Sequence, residues 1–124
     1  MKLLDVLADK DDVIKGNGVS EEEVRKAEEE LKVTFAPDYR EYLLSAGLLM
    51  CNGHELTGIG NSERTNVVAV TKQMQALWEG IPENWYVIEN ENMDGAAMWQ
   101  DPQGNVYFNK KKEFSSFTEF LSSL

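Results

Sequence analysis

The stretch SEEEVRKAEEELKVTFAPDYREYLLSAG, residues 20–47, decides the fold. Ser20 followed by Glu23 fits a capping box, in which hydroxyl and carboxylate satisfy each other's orphan backbone donors at a helix start. Val24, Ala27 and Leu31 then recur at i, i+3 and i+7, one narrow apolar stripe. Glu21, Glu22 and Glu28 each precede a base by four residues (Arg25, Lys26 and Lys32), the favourable orientation for helical ion pairs. After a short connection, Pro37 suits a first helical position and Asp38 complements the helix dipole. Tyr39, Tyr42, Leu43 and Ala46 line one face, and Gly47 can take the left-handed conformation that ends a helix. Two neighbouring amphipathic helices are expected, about 20–32 and 37–46.

Working outward, Leu3 to Leu7 reads as a short helix, followed by a polar stretch that ends at Gly16-Asn17-Gly18. Asn52-Gly53 marks a turn, and residues 54–59 carry a strand-like mixture. Val67-Val68-Ala69-Val70 looks β-branched but runs into Met74, Leu77 and Trp78 at helical spacing. Tyr86 to Asn90 and Ala96 to Gln100 read as strands, and Asp101-Pro102-Gln103-Gly104 as a tight turn leading into Val106-Tyr107-Phe108. Lys110-Lys111-Lys112 reads as a solvated loop. A second capping box, Ser116 to Glu119, opens a last helix with Phe117, Phe120, Leu121 and Leu124 inward. Helices, then strands, then a helix imply one α+β domain over 1–124, a mainly antiparallel sheet flanked by N-terminal helices and a C-terminal helix.

The bulk properties narrow the function. A formal net charge of −10 disfavours direct nucleic-acid binding, which needs Lys and Arg at phosphates, and suits a basic protein partner. No apolar run approaches the roughly 20 residues that span a bilayer, and Met1 to Asp9 lacks the apolar core of a secretory signal, so a cytoplasmic location is expected. Cys51, the single cysteine, follows Leu48-Leu49-Met50 and reads as a buried, inert thiol. The single histidine, His54, reads as a surface or strand-edge residue, with no second histidine for a metal site or triad.

In order and spacing, Glu22, Glu29 and Leu31, then Phe35-Ala36-Pro37-Asp38-Tyr39, Tyr42-Leu43, Ala46-Gly47, Gly104-Asn105-Val106-Tyr107 and Ser116 to Leu121 together resemble the SUKH superfamily, the Smi/Knr-type domain. The resemblance covers residues from about 19 to the end. It departs at Ala36, where the family usually has leucine, and at Leu48 to Gly53, which displaces an expected Asn-Gly. It implies an immunity protein that binds and neutralises a cognate polymorphic toxin, often a nuclease, with no catalytic residues to carry over. It makes the motif residues structural, with Tyr39, Leu43, Tyr107 and Phe120 as core. Eukaryotic relatives act in signalling, so a non-catalytic scaffold or regulatory domain is the alternative.

From Gln73 to Asn109 there is no Lys or Arg, against Glu79, Glu83, Glu89, Glu91, Asp94 and Asp101, a net of −6. Large aromatics are interleaved. Aromatic anchors and complementary charge are what a binder of a basic enzyme presents. The expected toxin-binding residues are therefore Glu83, Trp85, Glu89, Glu91, Asp94 and Trp99, centred on an exposed loop from Glu89 to Gly95. An enzyme would have to use Glu89, Glu91 and Asp94 as acid–base or cation-binding carboxylates. Their spacing is not that of an EF-hand loop, and no nucleophile–base pair accompanies them. No catalytic residue, cofactor or metal ligand is assigned, and a homodimer stays open.

Overall fold

The computed structural model of the chain describes residues 3–8, 10–60, 62–90 and 96–124. Among them the order is α1 (Leu3–Leu7), β1 (Val13–Lys15), α2 (Glu21–Leu31), α3 (Pro37–Ser45), β2 (Leu49–Cys51), β3 (His54–Leu56), α4 (Val67–Leu77), β4 (Tyr86–Asn90), β5 (Ala97–Gln100), β6 (Val106–Phe108), β7 (Lys111–Phe114) and α5 (Phe117–Ser122). The strands form one antiparallel sheet in sequence order, β1 to β7. The domain is α+β, as expected.

The two central helices form for the reasons visible in their ends. The Ser20–Glu23 capping box is complete, and Val24 and Ala27 are buried. Pro37 opens α3, Tyr39, Tyr42 and Leu43 are fully buried beneath it, and Gly47 follows at φ +78°. The ion pairs run differently from the helical spacing. Arg40 of α3 reaches across to Glu21 at 2.8 Å and to Glu28 at 3.9 Å, so these glutamates brace α2 against α3. Arg40 holds the Glu21 carboxyl below its ordinary range by a direct hydrogen bond, with Arg25 the smallest contributor. Glu28 also accepts the Phe35 N–H at 2.9 Å, fixing the chain between the helices.

Three strands escape the sequence pattern. β1 and β2 are only three residues each, too short for alternation to register. Asn52 and Gly53 are both left-handed, at φ 50° and 85°, as a two-residue hairpin turn between β2 and β3 requires. The lysine cluster is not a loop. Lys111 and Lys112 begin β7, an edge strand whose exposed charges discourage pairing with another chain. Residues 67–70 belong to α4, because Asn66 caps it by accepting from the Val68 and Ala69 N–H groups.

Both faces of the sheet are buried at its centre. Tyr86 and Ile88 of β4 and Met98 of β5 join Tyr39, Tyr42, Leu43 and Phe117 in a core under α3 and α5. Val87, Ala97 and Trp99 point the other way, against Val70 and Met74 of α4. A bulge at Ile88 lets Glu89 stay on the first face. Gly58 passes so close to Gly47 that a Cβ would lie 1.7 Å from the Gly47 carbonyl oxygen, so only glycine fits there.

A polar chain, buried at Tyr86 and Gln100 and half-buried at Asp38, runs through the first core. Tyr86 Oη accepts the Ala36 N–H and donates to Gln100 Oε1, each at 2.7 Å. Gln100 Nε2 donates to Asp38 Oδ1 and the Gly104 carbonyl. Asp38 Oδ2 takes the Phe117 N–H at 2.8 Å. Thr57 donates to the Val87 carbonyl, which leaves Tyr39 Oη as donor to Thr57 Oγ1, while Tyr42 Oη donates to the Thr57 carbonyl.

Two outcomes follow from this chain. Asp38→Ala strands the Phe117 N–H and the Gln100 amide, so urea unfolding should show a loss of about 1–3 kcal/mol at unchanged slope. All four tyrosines hold their protons above the ordinary range: burial raises Tyr39, Tyr42 and Tyr86, and burial with the Asp101 hydrogen bond pushes Tyr107 up to about 12. The folded state thus keeps protons that the unfolded chain loses near pH 10, and stability present below that pH declines above it. A base titration should show tyrosinate absorbance rising together with loss of circular dichroism.

Candidate functional site

The expected binding residues separate once the chain is folded. Trp99 is not on the surface. It sits in β5 with no exposed area, its indole packed beneath α4. Glu89 is not in a loop either. It pairs with Leu56 and Met98 across β4, is 4 % exposed, and lies 2.8 Å from Nδ1 of the half-exposed His54. The strand simply continues through Glu89 to Asn90, and the bulge turns the carboxylate inward toward His54. Glu91 and Asp94 lie outside the described residues.

Asp101 also leaves the surface. Its two oxygens accept from the Gln103 and Asn105 N–H groups, the Asn105 amide and the Tyr107 hydroxyl, at 2.9–3.1 Å and 2.8 Å for the tyrosine. It is the organiser of the β5–β6 turn. Of the six acids between Gln73 and Asn109, two are therefore buried within the protein, and Glu79 and Glu83 are exposed.

Glu83 and Trp85 do come together, on the turn between α4 and β4. The Trp85 N–H donates to the Pro82 carbonyl, closing the turn. Gln75 of α4 pins it by donating its amide to the Pro82 and Trp85 carbonyls at 3.2 and 3.3 Å. The Trp85 ring lies flat on Tyr107, centroids 3.9 Å apart and planes within 16°. Asp101 in turn fixes Tyr107. Trp85 and Tyr107 are half-buried, together with Trp78, at the rim of the second core, and Leu77 beside Trp78 is 65 % exposed. Tyr107, expected in the core, is instead the floor of this aromatic platform. Sequence reasoning missed Gln75, for which no motif exists.

The platform suits binding. Its rings are held before any partner arrives, so little side-chain freedom is lost on contact. Its charge is mixed: Lys112 stands opposite Tyr107 on β6–β7, and Lys110 approaches Gly80. A groove of about 690 Å³ between α2 and α4 is lined by Leu31, Lys32, Thr71, Lys72, Gln75 and Glu83 among others. Cys51 is buried and its thiol is pushed up by desolvation, which keeps it neutral. Among the described residues, no group of three His, Cys, Asp or Glu is placed to hold a metal ion, and no helix is long and apolar enough to cross a membrane.

Substitution separates the tryptophans. Trp99→Ala should cost about 3–5 kcal/mol in chemical denaturation, as emptied core sites do. Trp85→Ala should cost clearly less, because its ring caps the core rather than filling it.

A comparison with curated proteins finds no match. A family model does match: SUKH_5, described as SMI1-KNR4 cell-wall, covers residues 2–124. Its span includes the Pro37-Asp38-Tyr39 helix start, the polar chain built on it and the Ser116-capped last helix. With Tyr39, Tyr42, Leu43, Phe117 and Phe120 of the motif buried in the α+β core, the chain belongs to the SUKH_5 (SMI1-KNR4) family over nearly its whole length.

Proposed function

We propose that this chain is an immunity protein: it binds a cognate protein toxin of basic character in the cytoplasm and neutralises it by covering its active site, without catalysis of its own. The observation that carries this reading is family membership over residues 2–124, in a family that includes immunity proteins. A net charge of −10 supports a basic partner. The pre-positioned Trp85–Tyr107 platform, flanked by Glu79 and Glu83, supports contact through the α4–β4 turn. Glu91 and Asp94 join the proposed surface from the sequence; Glu89 and Trp99 leave it, since both serve the interior.

Co-expression with the toxin encoded by the adjacent gene should rescue growth, and the two proteins should co-purify. No rescue and no complex would overturn the proposal, as would a bound partner without lethal activity. Reversing Glu79 and Glu83 to lysine together should slow association by about tenfold at low salt and hardly at all at high salt, as steering charges do. Stopped-flow mixing at two ionic strengths measures it.

A further inference from the structure

The two edges of the sheet are treated differently. β7 carries exposed Lys111, Lys112 and Glu113 and a register shift opposite Val106 and Tyr107, the usual protection of a free edge. β1, at the other edge, carries Ile14, 66 % exposed, whose register partner Met50 of β2 is 41 % exposed. These two side chains lie on the sheet face that α4 covers only further along, and they line an open groove with Glu55 and Thr65.

The hydrogen-bond phase of this edge is fixed. The Gly16 N–H donates to Leu48 and the Gly18 N–H to Ala46, both directly opposite in the β1–β2 register. In an antiparallel ladder bonded pairs alternate, so Ile14 also spends its N–H and C=O on β2. Val13 and Lys15 therefore turn theirs outward, and no partner for these groups exists among the described residues.

We propose that β1 pairs with β1 of a second copy, antiparallel about a two-fold axis through Ile14, and joins two sheets into one. Val13 then faces Lys15 of the other copy, and the four N–H and four C=O groups at the two edges close four hydrogen bonds. Ile14 meets its own copy as a non-bonded pair, the close type with Cα atoms about 4.5 Å apart. Met50, Ile14 and their two counterparts form one apolar row across the axis. Charge fits as well: Asp11 and Asp12 precede the strand and Lys15 ends it, so antiparallel pairing sets each lysine beside the other copy's acids. A three-residue strand buries much less than the about 1,200 Å² of stable complexes, so the dimer is weak. Two copies of charge −10 repel, so salt strengthens it. This is opposite to the salt effect on a basic partner, and the inference stands whether or not the toxin reading does.

Sedimentation velocity of the full chain, from on the order of 10 μM to 1 mM, should show reversible dimerisation that strengthens in high salt. Ile14→Lys places like charges at the axis and should weaken it by about tenfold or more. Lys15→Pro removes an outward N–H without touching the β2 ladder and should also weaken it, while Ile14→Val should not. Circular dichroism checks that each variant is folded. Amide exchange by NMR should slow at Val13 and Lys15 as concentration rises. A monomer throughout the range, or a dimer unchanged by Ile14→Lys in a folded protein, would overturn the proposal.

Discussion

Asp38 connects three parts of the molecule with one carboxylate. It sits in the first turn of α3, receives the first N–H of α5, and holds the amide of Gln100 in the central strand β5. Through Gln100 and Tyr86 the same chain reaches the Ala36 N–H, just before Pro37. A carboxylate drawn partly out of water needs donors around it, and these donors are available only if both helices and the sheet are in register. The packing of Phe35, Tyr39, Tyr42, Tyr86 and Phe117 ring against ring around this chain follows from the same register. The Pro-Asp-Tyr motif is thus an assembly device: proline starts the helix, aspartate docks it, tyrosine fills the core.

This division of labour explains why the motif says little about a partner. Most of the apolar motif residues (Tyr39, Tyr42, Leu43, Phe117, Phe120 and Leu121) are consumed in the interior. The second face of the sheet shows the transition. Trp99 is core, Trp85 is a cap on that core, and Glu83 close by is solvated, so a few residues separate interior from solvent. Rings already held in place, Trp85 by the turn that Gln75 pins and Tyr107 by Asp101, would lose little freedom in any contact.

Helix ends were legible because capping is local chemistry: Ser20, Pro37, Gly47 and Ser116 each act within four residues of themselves. The Asn52-Gly53 hairpin was legible for the same reason. β1 and β2 were not, because three residues give no alternation and their identity depends on pairing with one another. The β-branched run at 67–70 is helical because Asn66 caps it, a signal present in the sequence but outweighed there by strand propensity. The site suffered most. Charge counted along the chain cannot distinguish Glu83, in water, from Asp101, ringed by its own turn, or from Glu89, turned inward by a bulge onto His54. Arg40 bracing Glu21 is likewise a contact between helices that i, i+4 spacing does not reveal.

The proposed function is that of a preformed acidic binder built on the family core. Isothermal titration of the purified chain with the purified toxin domain encoded by the adjacent gene tests it most directly. The expected result is a saturable one-to-one complex whose affinity falls as salt is raised and falls further when Trp85 is replaced by alanine. No heat of binding, or a complex indifferent to both salt and Trp85, would contradict it.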